Sequence, residues 1–281
     1  MAMGLTSSPV ADWIELDDLY DAEMAERRAL LADRHGDVFA ALPTSDDARR
    51  EVLEVLTGHL PVRYPDWFRQ DGTMLQNRLT GEDWNLAAPP CDPLELAGRL
   101  VQEDLCLIQP GDEGPLLTAA MLCFPSRWRL AEKIGRPLAA VHGPVPLYAE
   151  RLSGPVDRFM DRVKIGHIAA RLNWSVLDDP ALFQTGGKYR EGVNQAITAE
   201  NAGETLFLRV ERQTLRRLPR SLAVLFTIRV HVYPLAKITA RAEVAATLAR
   251  AVRELPDPIH KYKSLGMFRA ALLAYLDRQG G

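Results

Sequence analysis

The 281-residue chain is poor in cysteine: Cys91, Cys106 and Cys123 are its only three, and they form no C-x-x-C pair. Their spacing matches no zinc or iron–sulfur ligand set, which excludes a thiolate metal centre and a disulfide framework in this chain. Reduced, buried thiols in a reducing compartment are expected instead. No uninterrupted apolar stretch approaches the ~20 residues of a membrane-spanning helix. The opening "MAMGLTSSPV" lacks the basic-then-apolar pattern of a secretory leader, so we expect a cytoplasmic protein. A net charge of −3 rules out a global basic field that would hold the chain on nucleic acid or anionic lipid. There is no glycine fingerprint for a nucleotide, no internal repeat and no low-complexity tract. What is present, with 47% hydrophobic residues, is material for one well-packed core.

The first hundred residues read as helical and connective. "DDLYDAEMAERRALLADR" and "SDDARREVLEVLTGHL" carry apolar residues at helical spacing, with Ser45 or Asp46 placed to cap the second. "LPVRYPDWFRQDGT" is too aromatic for a floppy linker and reads as an ordered wrap. "DLCLIQ" and "LLTAAMLCF" flank the turn cluster "PGDEGP" and predict a hairpin. A helical middle follows, "RLAEKIGRPLAAVHG" and "SGPVDRFMDRVK". Strands then return as "HIAARLNWSVL", "ETLFLRVERQT" and "SLAVLFTIRVHVY", before C-terminal helices. The order predicts an α+β fold with a five-stranded antiparallel sheet and helices on one side. We expect a single domain with an N-terminal helical extension (1–60), a core (61–236) and C-terminal helices (237–281).

Within "RVERQTLRRLPR", strand alternation puts Arg209, Glu211 and Gln213 on one face and Leu208 and Val210 on the other. The next strand alternates Thr227, Arg229 and His231 against Ile228, Val230 and Val232. Arg171, Asn173 and Ser175 alternate against Leu172, Trp174 and Val176. If the strands pair suitably, Arg209, Glu211, Thr227 and Arg229 share a surface, although register is not legible in the sequence. The plain alternative is a solvated sheet face. Arg216, Arg217 and Arg220 read as a solvated basic turn.

"PSRWRLAEKIGRPLAAVHGPVPLY", "RLNWSV", "RVERQTLRRLPRS" and "VLFTIRVHVYPL" occur in one order, and together they resemble the haem-dependent oxidative N-demethylase family, specifically its haem-carrying α subunit. The resemblance runs from "RYPDWF" to "FTIRVHVYPL". It implies a PAS-like fold, haem b in the cavity of the sheet, dioxygen as oxidant and a small methylated amine such as dimethylamine as substrate. Formaldehyde is released, with tetrahydrofolate as an implied acceptor. Electrons come from partner reductase subunits carrying FMN, an iron–sulfur cluster and NADPH, since this chain has no site of its own for them.

On that resemblance, His142 in "AVHGPVPLY" is the first candidate for the iron, with His167 and His231 as alternatives. His35, His59 and His260 read as surface residues. Haem propionates need cations, because paired guanidinium groups offset the cost of burying carboxylates. Arg127, Arg129, Arg136, Arg209 and Arg229 are the candidates, while Lys133 reads as surface charge. Glu211 is placed to receive a protonated amine and take its proton, with flanking arginines keeping it ionised. The competing role for Glu211 is a structural ion pair with Arg209 or Arg212. Tyr148 is a candidate hydroxyl for the reaction, whereas Tyr189 reads as a loop residue. The rival to an enzyme is a PAS-like haem or small-ligand sensor, or a scaffold docking through "LRRLPR".

Overall fold

The computed structural model describes residues 4–146 and 153–281. The five expected strands form as β6 (Asp104–Gln109), β7 (Leu116–Met121), β8 (Ile168–Leu177), β9 (Phe207–Arg217) and β10 (Val224–Pro234). The sheet nevertheless has seven strands. Two three-residue edges, β1 (Thr6–Ser8) and β2 (Phe39–Ala41), complete the antiparallel order β1-β8-β9-β10-β6-β7-β2. The expected count of five strands is corrected to seven: strands this short carry too little alternation to be legible. The Pro/Trp-rich passage contributes to a second, three-stranded sheet of β3 (Phe68–Asp71), β4 (Met74–Asn77) and β5 (Glu82–Asn85). Among the described residues no helix is long and apolar enough to cross a membrane.

Helices cover both faces, which corrects the one-sided expectation. α1 (Tyr20–Val38) buries Tyr20, Met24, Leu31 and Val38, and α2 (Asp46–Arg63) buries Val52, Leu53, Leu56 and Leu60. These residues share a cluster with Leu105, Leu107, Ala119, Met121 and Leu225 of the sheet. Ser45 stands at the start of α2 without capping it; its Oγ donates to the Leu42 carbonyl instead, at 2.6 Å. α3 (Pro93–Gly98) is the short helix whose cap does form, Asp92 accepting from the Leu94 amide at 2.9 Å. The opposite face, with Cys106, Ala120 and Leu215, packs under Leu130, Leu138 and Met160. The helical middle expected there is mostly broken. Among the described residues, Gly135, at φ +72°, and Pro137 leave a 3-10 turn at Leu130–Glu132 and the four-residue α4 (Leu138–Val141) before α5 (Ser153–Arg162).

The C-terminal part adds the short α6 (Ala202–Thr205) and α7 (Leu235–Thr239), then α8 (Ala242–Glu254), α9 (Asp257–Tyr262) and α10 (Arg269–Gly280). Leu248, Val252, Leu272 and Leu276 close on Val176, Leu206 and Leu235 in a cluster of their own. The basic turn is not simply solvated. Arg217 donates to the carbonyls of Val163 and Leu222 at 2.6 Å each, and Arg216 lies over the Trp13 ring at 4.2 Å. Arg220 alone of the three keeps a largely exposed side chain, against Glu54.

Beneath the helical face lies a buried ion network. Arg229, wholly buried, donates to Glu23 at 2.8 Å and to Asp17 at 2.6 Å, while Gln102 donates to the same two carboxylates at 2.9 Å each. Removing the cation alone strands Glu23 in the core. We expect Arg229→Met to lower unfolding free energy by about 3–5 kcal/mol in urea titrations. Arg229→Met with Glu23→Gln should recover part of that loss, because the uncompensated charge goes with its partner.

Candidate functional site

The pairing of β8, β9 and β10 decides which polar groups meet. Asn173 lies opposite Glu211, which lies opposite Val230; Arg171 lies opposite Gln213, and Ser175 opposite Arg209. Directly opposed residues share a face. Glu211 is therefore grouped with Asn173 and Gln213, whereas Thr227, Arg229 and His231 point to the other face. Arg229 does not share a surface with Glu211, because the register pairs it with Arg212.

Glu211 is 8% exposed, and one carboxylate oxygen, Oε2, accepts from Asn173 Nδ2 at 3.0 Å and Gln213 Nε2 at 2.7 Å. Among the described residues its other oxygen, Oε1, has no hydrogen bond and no cation lies within salt-bridge distance of either. The two arginines flanking it in sequence are spent elsewhere. Arg209 donates to the carbonyls of Phe124, Ala181 and Leu182 and to Ser126 Oγ, at 2.8–3.0 Å. Arg212 holds the Trp13 carbonyl at 3.0 Å and Glu15 at 3.4 Å. The expected flanking arginines are thus replaced by two neutral amides, which orient Glu211 without neutralising it.

Around this carboxylate stand partly desolvated cations, none of them paired with a carboxylate among the described residues. Arg171 Nε is buried with no hydrogen-bond partner among the described residues. Lys263 donates to the Trp174 carbonyl at 2.5 Å and Ser175 Oγ at 3.3 Å; burial pushes its pKa down to about 8, against the pull of Glu211. Lys188 is lowered to about 8 by burial and then by Lys133, with Glu211 again opposing. Burial, with Glu211 second, raises the Tyr262 phenol to about 12 and keeps it neutral. Lys133, expected at the surface, is buried and donates to the Val141 carbonyl at 2.5 Å.

That lysine braces α4, whose C-cap is His142. His142 is half-buried, and its Nδ1 lies 2.8 Å from the Leu138 carbonyl, an acceptor only. Nδ1 therefore carries a proton and donates to that carbonyl. Burial lowers the imidazole pKa, the hydrogen bond to the Leu138 carbonyl opposes it, and the charges of Lys133, Arg171 and Lys188 add to the lowering. Arg171 and Lys188 thus stand within electrostatic reach of both His142 and Glu211. Tyr189 fastens the same turn, its hydroxyl donating to the Pro144 carbonyl.

The remaining candidates lie apart. Arg129 and Arg136 are exposed, and Arg127 is buried in the wall of a separate cavity. Tyr148 lies outside the described residues. His167 is exposed, and His231 stands 3.3 Å from Glu15 on the far face. His35 reaches Glu95 at 2.9 Å. His59 and His260 are not surface residues: His59 packs edge-on against Trp13, burial lowering its pKa to about 4, and His260 is buried. Sequence reading passed over Lys188, Tyr262 and Lys263. The repeated "GKYR" and "HKYKS" are their only common signal, since nothing local says that a loop and the end of α9 converge on β9.

Depressed lysines carry a sign for stability. A Lys whose folded pKa lies below its unfolded value costs stability while both states are charged, and the cost fades as pH rises from about 8 towards about 10.4. We expect Lys263→Met to gain on the wild type most below pH 8, the advantage shrinking from pH 8 to 10. The difference between the two proteins is the quantity to measure, because it cancels the three cysteines. Burial raises their thiol pKa values, and their stability contribution falls over the same window.

The donor set is thus one imidazole, one carboxylate with an oxygen that accepts no hydrogen bond among the described residues, and a surplus of partly desolvated cations. That set suits an anionic prosthetic group with a metal to ligate and a cationic small molecule beside it. A family model described as haem-dependent oxidative N-demethylase, alpha subunit-like, matches residues 4–273. The match takes in every element of the main sheet and every residue of the Glu211 cluster, and the chain belongs to that family.

Proposed function

We propose that this chain is the haem-carrying subunit of an oxidative N-demethylase acting on a small methylated amine such as dimethylamine. The observation that carries the reading is Glu211: a buried carboxylate fixed through one oxygen by two amides, with its second oxygen open. A secondary amine is mostly cationic at neutral pH, so an ammonium N–H finds a charge-assisted acceptor at Oε1. Asn173 and Gln213 keep that oxygen aimed without competing for the proton. As the N-methyl group is oxidised, Glu211 is placed to take the ammonium proton.

The residues fit haem by their chemistry. His142, its tautomer set by the Leu138 carbonyl, presents Nε2 as the donor to iron. Arg171, Lys188 and Lys263 offer the positive charge that two propionates need, and an anion there would relieve the cost of burying them. When bound, haem supplies the iron at which dioxygen is reduced and the N-methyl carbon oxidised. Glu211 is buried and Tyr262 half-buried, which limits the access of bulk water to that chemistry. On this reading electrons arrive from partner reductase subunits bearing FMN, an iron–sulfur cluster and NADPH. Formaldehyde leaves for an acceptor such as tetrahydrofolate.

We expect haem-reconstituted protein to release formaldehyde from dimethylamine with an artificial reductant. Glu211→Gln should lower that rate by roughly 100-fold or more while leaving the Soret band in place. Undiminished turnover in Glu211→Gln would remove the carboxylate from the mechanism. His142→Ala should shift the Soret band and weaken haem binding in titrations; an unchanged spectrum would mean that another residue ligates iron.

A further inference from the structure

A polar cavity of about 260 Å³ opens between the C-terminal end of β8 and the loop that follows it. Arg127, Asp178, Gln184, Gly187 and Arg190 are among its lining residues. The loop divides it from the Glu211 cluster: Lys188 belongs to that cluster, whereas Gly187 and Arg190 line this cavity. Ser264 pins the divider, accepting from the Arg190 amide at 3.0 Å and donating to the Gly187 carbonyl at 3.2 Å.

Arg127 is the anomaly in this cavity. Its side chain is 8% exposed, yet among the described residues the guanidinium makes one long hydrogen bond, 3.4 Å to the Lys263 carbonyl. The nearest carboxylate, Asp178, is 3.7 Å away and already engaged by Arg190 through both oxygens. Asp179, at the exposed rim, accepts from the Ala181 amide at 2.9 Å. Buried guanidinium groups are ordinarily well supplied with acceptors, as Arg209 is here through all three of its nitrogens. Arg127 also holds a left-handed backbone, φ +61°, costly for a non-glycine residue. Gly187, at φ +93°, lies against both guanidinium groups; a Cβ there would sit 3.7 Å from Arg127 Nε and 3.9 Å from Arg190 Nε.

We propose that this cavity is a binding site for a small oxyanion, a carboxylate or phosphate group, received by the guanidinium fork of Arg127 beside Arg190. The chemistry is that of a planar donor fork meeting paired oxygens. The site is distinct from the Glu211 cluster, because the Thr185–Arg190 loop stands between them. Arg127 reaches the reaction site through the Lys263 carbonyl, which it holds, and through its charge, which acts on Lys188 and Lys263.

Calorimetric titration of the protein with inorganic phosphate and, separately, with acetate tests this and tells the two oxyanion sources apart. We expect saturable binding of at least one, weakened tenfold or more in Arg127→Gln and less in Arg127→Lys, and unchanged in the exposed-site control Arg136→Gln. The same affinity should persist after haem reconstitution. Loss of binding on haem loading would overturn the proposal by showing that one cavity serves both, and equal binding in Arg127→Gln would overturn it directly. Should Arg127→Gln fail to fold, crystals of the wild-type chain soaked in selenate supply the test. An anomalous peak within hydrogen-bond distance of Arg127 supports the site, and its absence refutes it.

Discussion

The pairing register of β8, β9 and β10 is the constraint on which the candidate site depends. Asn173, Glu211 and Val230 stand in one row across three strands, with Gln213 two residues along from Glu211. A slip of one residue between β9 and β10 would bring Arg229 onto Glu211's face and tear it from Glu23 and Asp17. Both a buried ion network and a carboxylate with an open oxygen thus hang on the same ladder. The ladder is held by clusters on both faces, Leu105 to Leu225 on one and Cys106 to Leu215 on the other.

The protein disposes of buried charge in two ways. Arg229 is matched with carboxylates and Arg209 with backbone carbonyls, and both are structural. The cations around Glu211 have no carboxylate partner among the described residues, although Lys263 holds the Trp174 carbonyl and Lys133 that of Val141. Lys188 and Lys263 are desolvated to the point of weakened basicity, and Arg171 keeps a buried donor with no partner among the described residues. An arrangement that costs stability in this way is expected at a site whose ligand completes the charge balance.

Two segments distant in sequence make that site possible. The loop Thr185–Arg190 and the stretch Tyr262–Ser264 meet through Ser264, itself buried and held at φ +56°. Tyr189 packs on Tyr262 at 5.7 Å and reaches back to Pro144, beside His142. The imidazole, the lysines and the carboxylate are brought together by these tertiary links rather than by any one motif.

Much was legible beforehand. The five long strands, the two N-terminal helices, the hairpin at "PGDEGP" and the loaded face of β9 all follow from periodicity and turn chemistry, which act over a few residues. The order of several motifs was enough for the family. Three-residue edge strands were not legible, and the partners of Arg209, Arg229 and Lys133 were not either. Lys133 is flanked by sequence that suits a solvated surface, and Arg209 and Arg229 stand in alternation that a wet sheet face would share; only the packing of remote segments buries them. The sequence by itself determined which faces of β8 and β9 are polar, because alternation is a property of the single strand. Which of those polar groups meet, and which are left short of partners, was decided by strand register and by loops closing over the sheet, since these rest on contacts between residues far apart in the chain.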